Sequence, residues 1–231
     1  MIVKSKQWKN SLASLCMSSD LPIDQDQSVL MAIYASELIT SNKKINLTAI
    51  TDAEDIAEKH IIDSLIPSRF IPANASVLDA GTGGGFPGIP LKIFMPSLSM
   101  VLVDSSRKKI NFLKYMIRIL NLHNISAHQY RVEQLPNHFD FAGQFDVVIS
   151  RAFTSLERFL GLAVSLMKHD GFIIAMKGKE VQKELDALRA ANIGPNLYQI
   201  NDHDLELQVE KYRLPISGDD RSLVIARNHF L

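Results

Sequence analysis

Apolar residues change their period near residue 75. Before it they recur at helical spacing: after Asp24, the residues Val29, Leu30, Ile33, Tyr34 and Leu38 predict a helix with one buried face. Thr51 and Glu54 read as a capping box opening a second helix, with Ile56, Ala57, His60, Ile61, Ser64 and Leu65 on its inner side. Pro67 and Pro72 close that helix and mark a short linker. From Ser76 onward, short apolar runs alternate with amphipathic stretches. Strands are predicted near 76–80, 99–104, 125–130, 145–150 and 171–176, and helices near 87–95, 106–121, 155–168 and 179–191. That alternation demands crossover connections, hence a parallel sheet covered on both faces. Beyond Asn192, runs at 205–213 and 221–227 flank the turn formers Pro215, Gly218 and Asp219 and predict an antiparallel hairpin on the sheet edge. The expected organisation is a helical cap over residues 1–72 and an α/β domain over 73–231.

Composition narrows the function classes. With 231 residues and 46% hydrophobic content, the chain can bury a full core. Lys plus Arg and Asp plus Glu number 25 each, so no global positive field draws the chain to nucleic acid, and any RNA contact must be local. Cys16 is the single cysteine, which excludes an internal disulfide and a multi-cysteine zinc site. The opening MIVKSKQWKN has no apolar leader core, and no later stretch approaches the roughly 18 apolar residues of a membrane span. A soluble, cytoplasmic monomer is expected.

The first strand runs into VLDAGTGGGFPGIP (77–90). In an open α/β sheet the ligand sits beyond the carboxyl ends of the strands. Gly81, Gly83 and Gly85 follow Asp79 at alternate positions, allow positive φ and let ligand atoms approach the backbone, and Pro87 suits the first turn of a helix. Residues 83–88 satisfy the G-x-G-x-x-G dinucleotide fingerprint, so a nicotinamide cofactor competes with S-adenosylmethionine at this point. MVLVD places Asp104 at the end of the second strand, where its carboxylate can accept the ribose hydroxyls present in both candidates. A helix N-cap is the plainer role for Asp104. Arg131, Val132 and Glu133, beyond the third strand, fall where adenine belongs. FDVVIS ends in Arg151, which can grip a carboxylate with two prongs, and only S-adenosylmethionine carries one.

VLDAGTGGGFPGIPLKI, VDSSRKKINFLK, RVEQL, FDVVISRAF and MKG, in that order, resemble the bacterial small-subunit ribosomal RNA methyltransferase G family, also called glucose-inhibited division protein B. NLTAI (46–50) and HIIDS (60–64) belong to the same pattern, and Gly84 stands where proline is common. The resemblance implies a Rossmann-like S-adenosylmethionine-dependent methyltransferase sheet with an N-terminal helical extension. It implies cofactor contacts at Gly81, Phe86, Val132, Glu133 and Arg151, and methylation of guanine N7 in 16S rRNA. A small-molecule methyltransferase, an NAD-dependent oxidoreductase and an adenosine-binding regulator are the alternatives.

The implied chemistry is undemanding of catalytic groups. Guanine N7 has an in-plane lone pair and no proton, so no general base is expected, and Arg151 is a candidate only for orientation. SRAF stands where exocyclic-amine enzymes show an Asn/Asp-Pro-Pro-aromatic run, and Cys16 lies too far upstream to act as the nucleophile of a pyrimidine-C5 enzyme. Phe153 is a candidate to stack the target base. His60, Asp63 and Ser64 lack a metal-ligand cluster around them and read as a polar seam under the cap; Asn46, His60 and Lys177 are candidate substrate contacts, and no metal is expected. Arg107, Lys108, Lys109, Lys114 and Arg118 gather on one predicted helix, and Lys43, Lys44, Lys177 and Lys179 form a second cluster. With no long basic arm to seize naked RNA, the expected substrate is 16S rRNA presented in the small ribosomal subunit or an assembly precursor.

Overall fold

A computed structural model describes residues 2–138 and 140–229. Five parallel strands form the heart of the sheet: β1 (Ser76–Ala80), β2 (Ser99–Asp104), β3 (Ile125–Gln129), β4 (Phe145–Arg151) and β5 (Met167–Lys177). Four antiparallel strands extend it: β6 (Asn192–Gly194), β7 (Leu197–Ile200), β8 (His203–Arg213) and β9 (Asp220–Asn228). The spatial order is β3-β2-β1-β4-β5-β9-β8-β7-β6. The chain leaves β1 towards β2 and β3, then returns to β4 on the other side, so a crevice opens at the carboxyl ends of β1 and β4.

Before the sheet come α1 (Lys6–Ser18), α2 (Gln25–Ile45), and a continuous helical run made of α3 (Ala53–Asp55), a π-helical stretch Ile56–Ile62 and α4 (Asp63–Leu65). The crossovers carry α5 (Gly88–Phe94), α6 (Arg107–Ile119) and α7 (Leu156–Ala163), with a 3₁₀ turn, Val132–Asn137, between β3 and β4, and α8 (Val181–Ala187) leads from β5 to the antiparallel extension. One continuous apolar cluster joins Trp8, Met31, Leu38 and Ile61 to Leu113 and to sheet residues Val77, Leu102, Ile149 and Ile174. Burying a Leu-sized side chain there is worth about 1.5–3 kcal/mol. The opposite face packs Leu156, Phe159 and Leu160 onto Leu78, Val148 and Ile173. Both faces are covered, as near-continuous apolar strands require.

Several elements depart from the pattern-based expectation. The capping residue of the 53–65 run is Asp52, not Thr51: its carboxylate accepts from the N–H groups of Glu54 (2.8 Å) and Asp55 (3.2 Å), and an aspartate competes better than a threonine for that place. The expected inner face of that run is buried, with Glu58, Ile62 and Asp63 buried beside it, because π-helical turns crowd more residues onto one side. In α2, Asp24 and Gln27 form a reciprocal capping box, but the buried stripe is Ser28, Met31, Ala32, Tyr34, Ala35 and Leu38. Small residues let α1 approach, and the Ser28 hydroxyl donates to the Lys9 carbonyl. The β8–β9 hairpin forms, yet the edge of the sheet is β6, because two short strands with weak alternation, β6 and β7, continue beyond it.

Candidate functional site

The loop after β1 is organised around Asp79. Its Oδ2 accepts from the Thr82 hydroxyl (2.6 Å) and the Gly88 N–H (2.9 Å), tying the two ends of the glycine loop together. A Cβ at Gly88 would stand 2.7 Å from that oxygen, so only glycine admits the contact. Among the described residues Asp79 Oδ1 has no hydrogen-bond partner although it is buried. Burial pushes the Asp79 carboxyl up to about 7, against the lowering effect of the Thr82 and Gly88 bonds. A buried acceptor left open in this way suits a cationic ligand group.

Gly81, Gly83 and Gly85 all have positive φ, as their spacing implies. Gly83 donates to Asp104 Oδ2 (3.1 Å), and Ser106 donates to Asp104 Oδ1 (2.8 Å). The cap of α6 is therefore Ser106 itself, while Asp104 braces the loop and keeps lone pairs for hydroxyl groups. The Phe153 ring covers Gly81: a Cβ there would lie 2.4 Å from Phe153 Cδ2. Ala152, between Arg151 and Phe153, has φ of 51°, a left-handed turn that separates its two neighbours.

Arg151 is spoken for by the N-terminal helical run. It donates to the Lys59 carbonyl (2.9 Å) and to His60 Nδ1 (3.1 Å), and approaches Asp63 Oδ2 at 3.5 Å. A guanidinium only donates, so Nδ1 accepts and the His60 proton sits on Nε2, which donates to Thr48 Oγ1 (2.6 Å). Burial first, and then Arg151, lower the His60 pKa to about 3, so the ring is neutral. Phe86 of the loop is packed between these groups. Its ring stacks on His60 (4.2 Å between centroids) and lies 4.7 Å from the Arg151 guanidinium carbon. Any ligand contact at Phe86 therefore falls to its backbone.

The other expected residues are dispersed around this centre. Val132 is buried in the second core cluster, and Glu133, exposed, accepts from Arg158 (2.7 Å). Asn46 is exposed and ends α2 in a left-handed conformation; the neighbouring loop is held by Asn42, whose side chain bonds to Leu47 and Thr48. Lys177 is engaged by the Thr154 carbonyl (2.8 Å) and Glu184 (2.7 Å). His60 and Asp63 do meet, through Arg151, and they line a pocket of about 310 Å³ with Arg151, Lys177, Tyr212 and Arg221. Ser64 points back to the His60 carbonyl and lies outside the pocket lining.

Three contributors escape motif reading. The Tyr34 hydroxyl donates to the Gly84 carbonyl (2.7 Å), and a buried tyrosine in an apolar stripe is itself a signal that its hydroxyl needs a partner. Thr82 has no signature beyond proximity to Asp79. Tyr212 reaches Asp63 Oδ1 (2.7 Å) from β8, 149 residues further along the chain, which no local pattern announces.

Solved structures place the fold in a class. The chain is similar to TYW2 of M. jannaschii in complex with AdoMet, with a TM-score of 0.55 and 16% identity over 74% of this chain and 76% of that one. It is also similar to a SAM-dependent methyltransferase from Aquifex aeolicus, with a TM-score of 0.55 and 14% identity over 81% of this chain and 97% of that one. The fold is that of the S-adenosylmethionine-dependent methyltransferases, and the open Asp79 oxygen and positive-φ glycines fit that cofactor.

Sequence comparison is more specific. The family described as rRNA small subunit methyltransferase G matches residues 27–205. The chain is 42% identical over 194 residues to the Ribosomal RNA small subunit methyltransferase G of Geotalea uraniireducens, covering 83% of this chain and 84% of that protein. With the protein of the same name from Mycoplasma capricolum it shares 40% identity over 185 residues, or 80% of this chain and 79% of that one. The chain belongs to the rRNA small subunit methyltransferase G family, and it is an rRNA methyltransferase that uses S-adenosylmethionine.

Proposed function

We propose that the enzyme methylates N7 of a guanine in 16S rRNA, within the small ribosomal subunit or a precursor of it. S-adenosylmethionine supplies an electrophilic methyl group on a positively charged sulfur. The glycine loop presents backbone to that molecule, Asp79 Oδ1 receives its ammonium group, and Asp104 takes ribose hydroxyls with the lone pairs that Gly83 and Ser106 leave free. Val132 and Glu133 flank the adenine. Arg151, anchored to the helix, directs positive charge over the loop at Phe86 and orients the methionine end of the cofactor.

The observation that carries the N7 reading is the state of the bases lining the pocket. His60 is neutral, with its Nε2 proton given to Thr48 and its Nδ1 lone pair to Arg151, and Asp63 is held by Tyr212 and Arg151. Engaged in this way, they suit a nucleophile that carries no proton to remove. Catalysis is then alignment of N7 with the methyl–sulfur bond, with Phe153 stacking the purine after swinging off Gly81. The test is to supply labelled cofactor with small subunits from cells lacking this gene and map the product by borohydride–aniline cleavage. Strand scission at one guanine is expected. Label on an exocyclic amine or a ribose oxygen overturns the reading.

A further inference from the structure

Zero net charge hides an uneven distribution. Between Asp104 and Glu133 the chain carries six Lys and Arg residues and no Asp or Glu. That stretch builds α6 and the edge strand β3. Because α6 buries Ile110, Phe112, Leu113 and Met116, its period sends Arg107, Lys108, Lys114 and Arg118 outward, and all four are exposed. Tyr115 and Ile119 stand among them, 38% and 36% exposed, with the Arg118 guanidinium 5.9 Å from the Tyr115 ring centre. The positive field reaches the strand beneath: His128 is lowered by burial and then by Lys114. The stripe begins at the site itself, where Lys109 Nζ lies 3.8 Å from the Asp104 carboxylate that braces Gly83. At about 1.5 Å per residue, α6 carries these cations along roughly 20 Å leading away from the loop.

We propose that the outer face of α6 is the track on which the phosphate backbone of the RNA lies while a base is held at the cofactor loop. The proposal rests on the RNA reading above and extends it to a surface. A row of cations interleaved with an aromatic ring matches a polyanion with stackable bases. A chain of zero net charge needs such a local patch to attract RNA at all. Among the described residues Lys108, Lys114 and Arg118 make no ion pair. A second basic group, on α8 and β8, has Lys183 paired to Glu180 and Arg213 to Asp220.

The test is a Lys108→Gln, Lys114→Gln, Arg118→Gln variant, binding small ribosomal subunits from cells lacking this gene, measured by co-sedimentation across a salt series. All three side chains are exposed, so circular dichroism and affinity for S-adenosylhomocysteine should match the parent. The Kd for subunits should rise at least about tenfold near physiological salt, and the slope of log Kd against log salt should become shallower by about 2, at roughly 0.7 per phosphate contact. A Lys183→Gln, Lys211→Gln, Arg213→Gln variant should bind like the parent. The proposal is overturned if the α6 variant keeps the parental Kd and slope, including the case where neither protein binds the subunits. It is equally overturned if the second variant shows the loss, or if the face binds phosphatidylserine vesicles and not RNA. RNA binding that depends on α6 without any methyl transfer would instead sink the methylation reading alone.

Discussion

Buried beneath its own loop with one oxygen open, Asp79 makes both stability and ligand affinity depend on pH. Its folded-state pKa of about 7 lies above the ordinary 3.8, so the folded chain holds a proton that the unfolded chain releases. The associated stability is fully present below the unfolded value and is lost as pH rises through about 7. Asp79→Asn keeps an oxygen for Thr82 and Gly88 while removing the charge. The cofactor-free variant should therefore gain urea resistance over the parent at about pH 8 and show little gain at about pH 4. Equal gains at both values would contradict the assignment. Gly81 gives a sharper residue-level test, because Gly81→Val would drive a Cβ into Phe153 and force a branched residue to φ of +73°. Calorimetry should show no S-adenosylhomocysteine binding while far-ultraviolet circular dichroism is retained. Positions such as Asp79, Gly81 and Asp104 could be read from sequence because strand ends and glycine spacing are local properties. The roles of Tyr34, Thr82 and Tyr212 could not, since each depends on a partner brought near only by the completed fold.

Elements followed the same division. Apolar periodicity located β1 to β5 and α5 to α8 because both faces of a parallel sheet impose strong patterns on the chain, but it ran α7 on to 168 although that helix ends at Ala163 and β5 begins at Met167. It missed β6 and β7, which are short, bury only Ile200 and carry little alternation. It also misplaced one helix start by a residue, because capping depends on backbone geometry that two adjacent oxygen-bearing side chains could each provide. Replacing Asp52 with alanine should lower the thermal midpoint at neutral pH, while Thr51→Ala should leave it unchanged. Asp52 is held below its ordinary 3.8 by the Asp55 and Glu54 N–H groups, so its contribution is present above that value and fades as pH falls through the folded pKa. A larger effect from Thr51→Ala would restore the capping box suggested by the sequence.

At the scale of the molecule, distant parts of the chain close one site. Glu58 in the π-helical stretch is buried and accepts from the N–H groups of Ile216 and Ser217 (2.8 Å to the latter) in the β8–β9 turn. Tyr212 joins the same hairpin to Asp63 and so to Arg151. Glu58→Ala should cost about 3 kcal/mol, as expected for hydrogen bonds to a charged acceptor. Hydrogen exchange should accelerate at residues 214–218 before the strands of the sheet respond; uniform acceleration would mean that Glu58 stabilises the whole fold and does not latch the hairpin.

The order of the strands also bears on how the protein is made. β9 lies between β5 and β8, yet the ribosome synthesises it after β8. Strands β6, β7 and β8 can pair with one another as they emerge, but they join the parallel sheet only once β9 has docked between β8 and β5. Tyr212 and Arg221 reach the pocket wall only at that moment, so this side of the cavity closes with the docking of the hairpin.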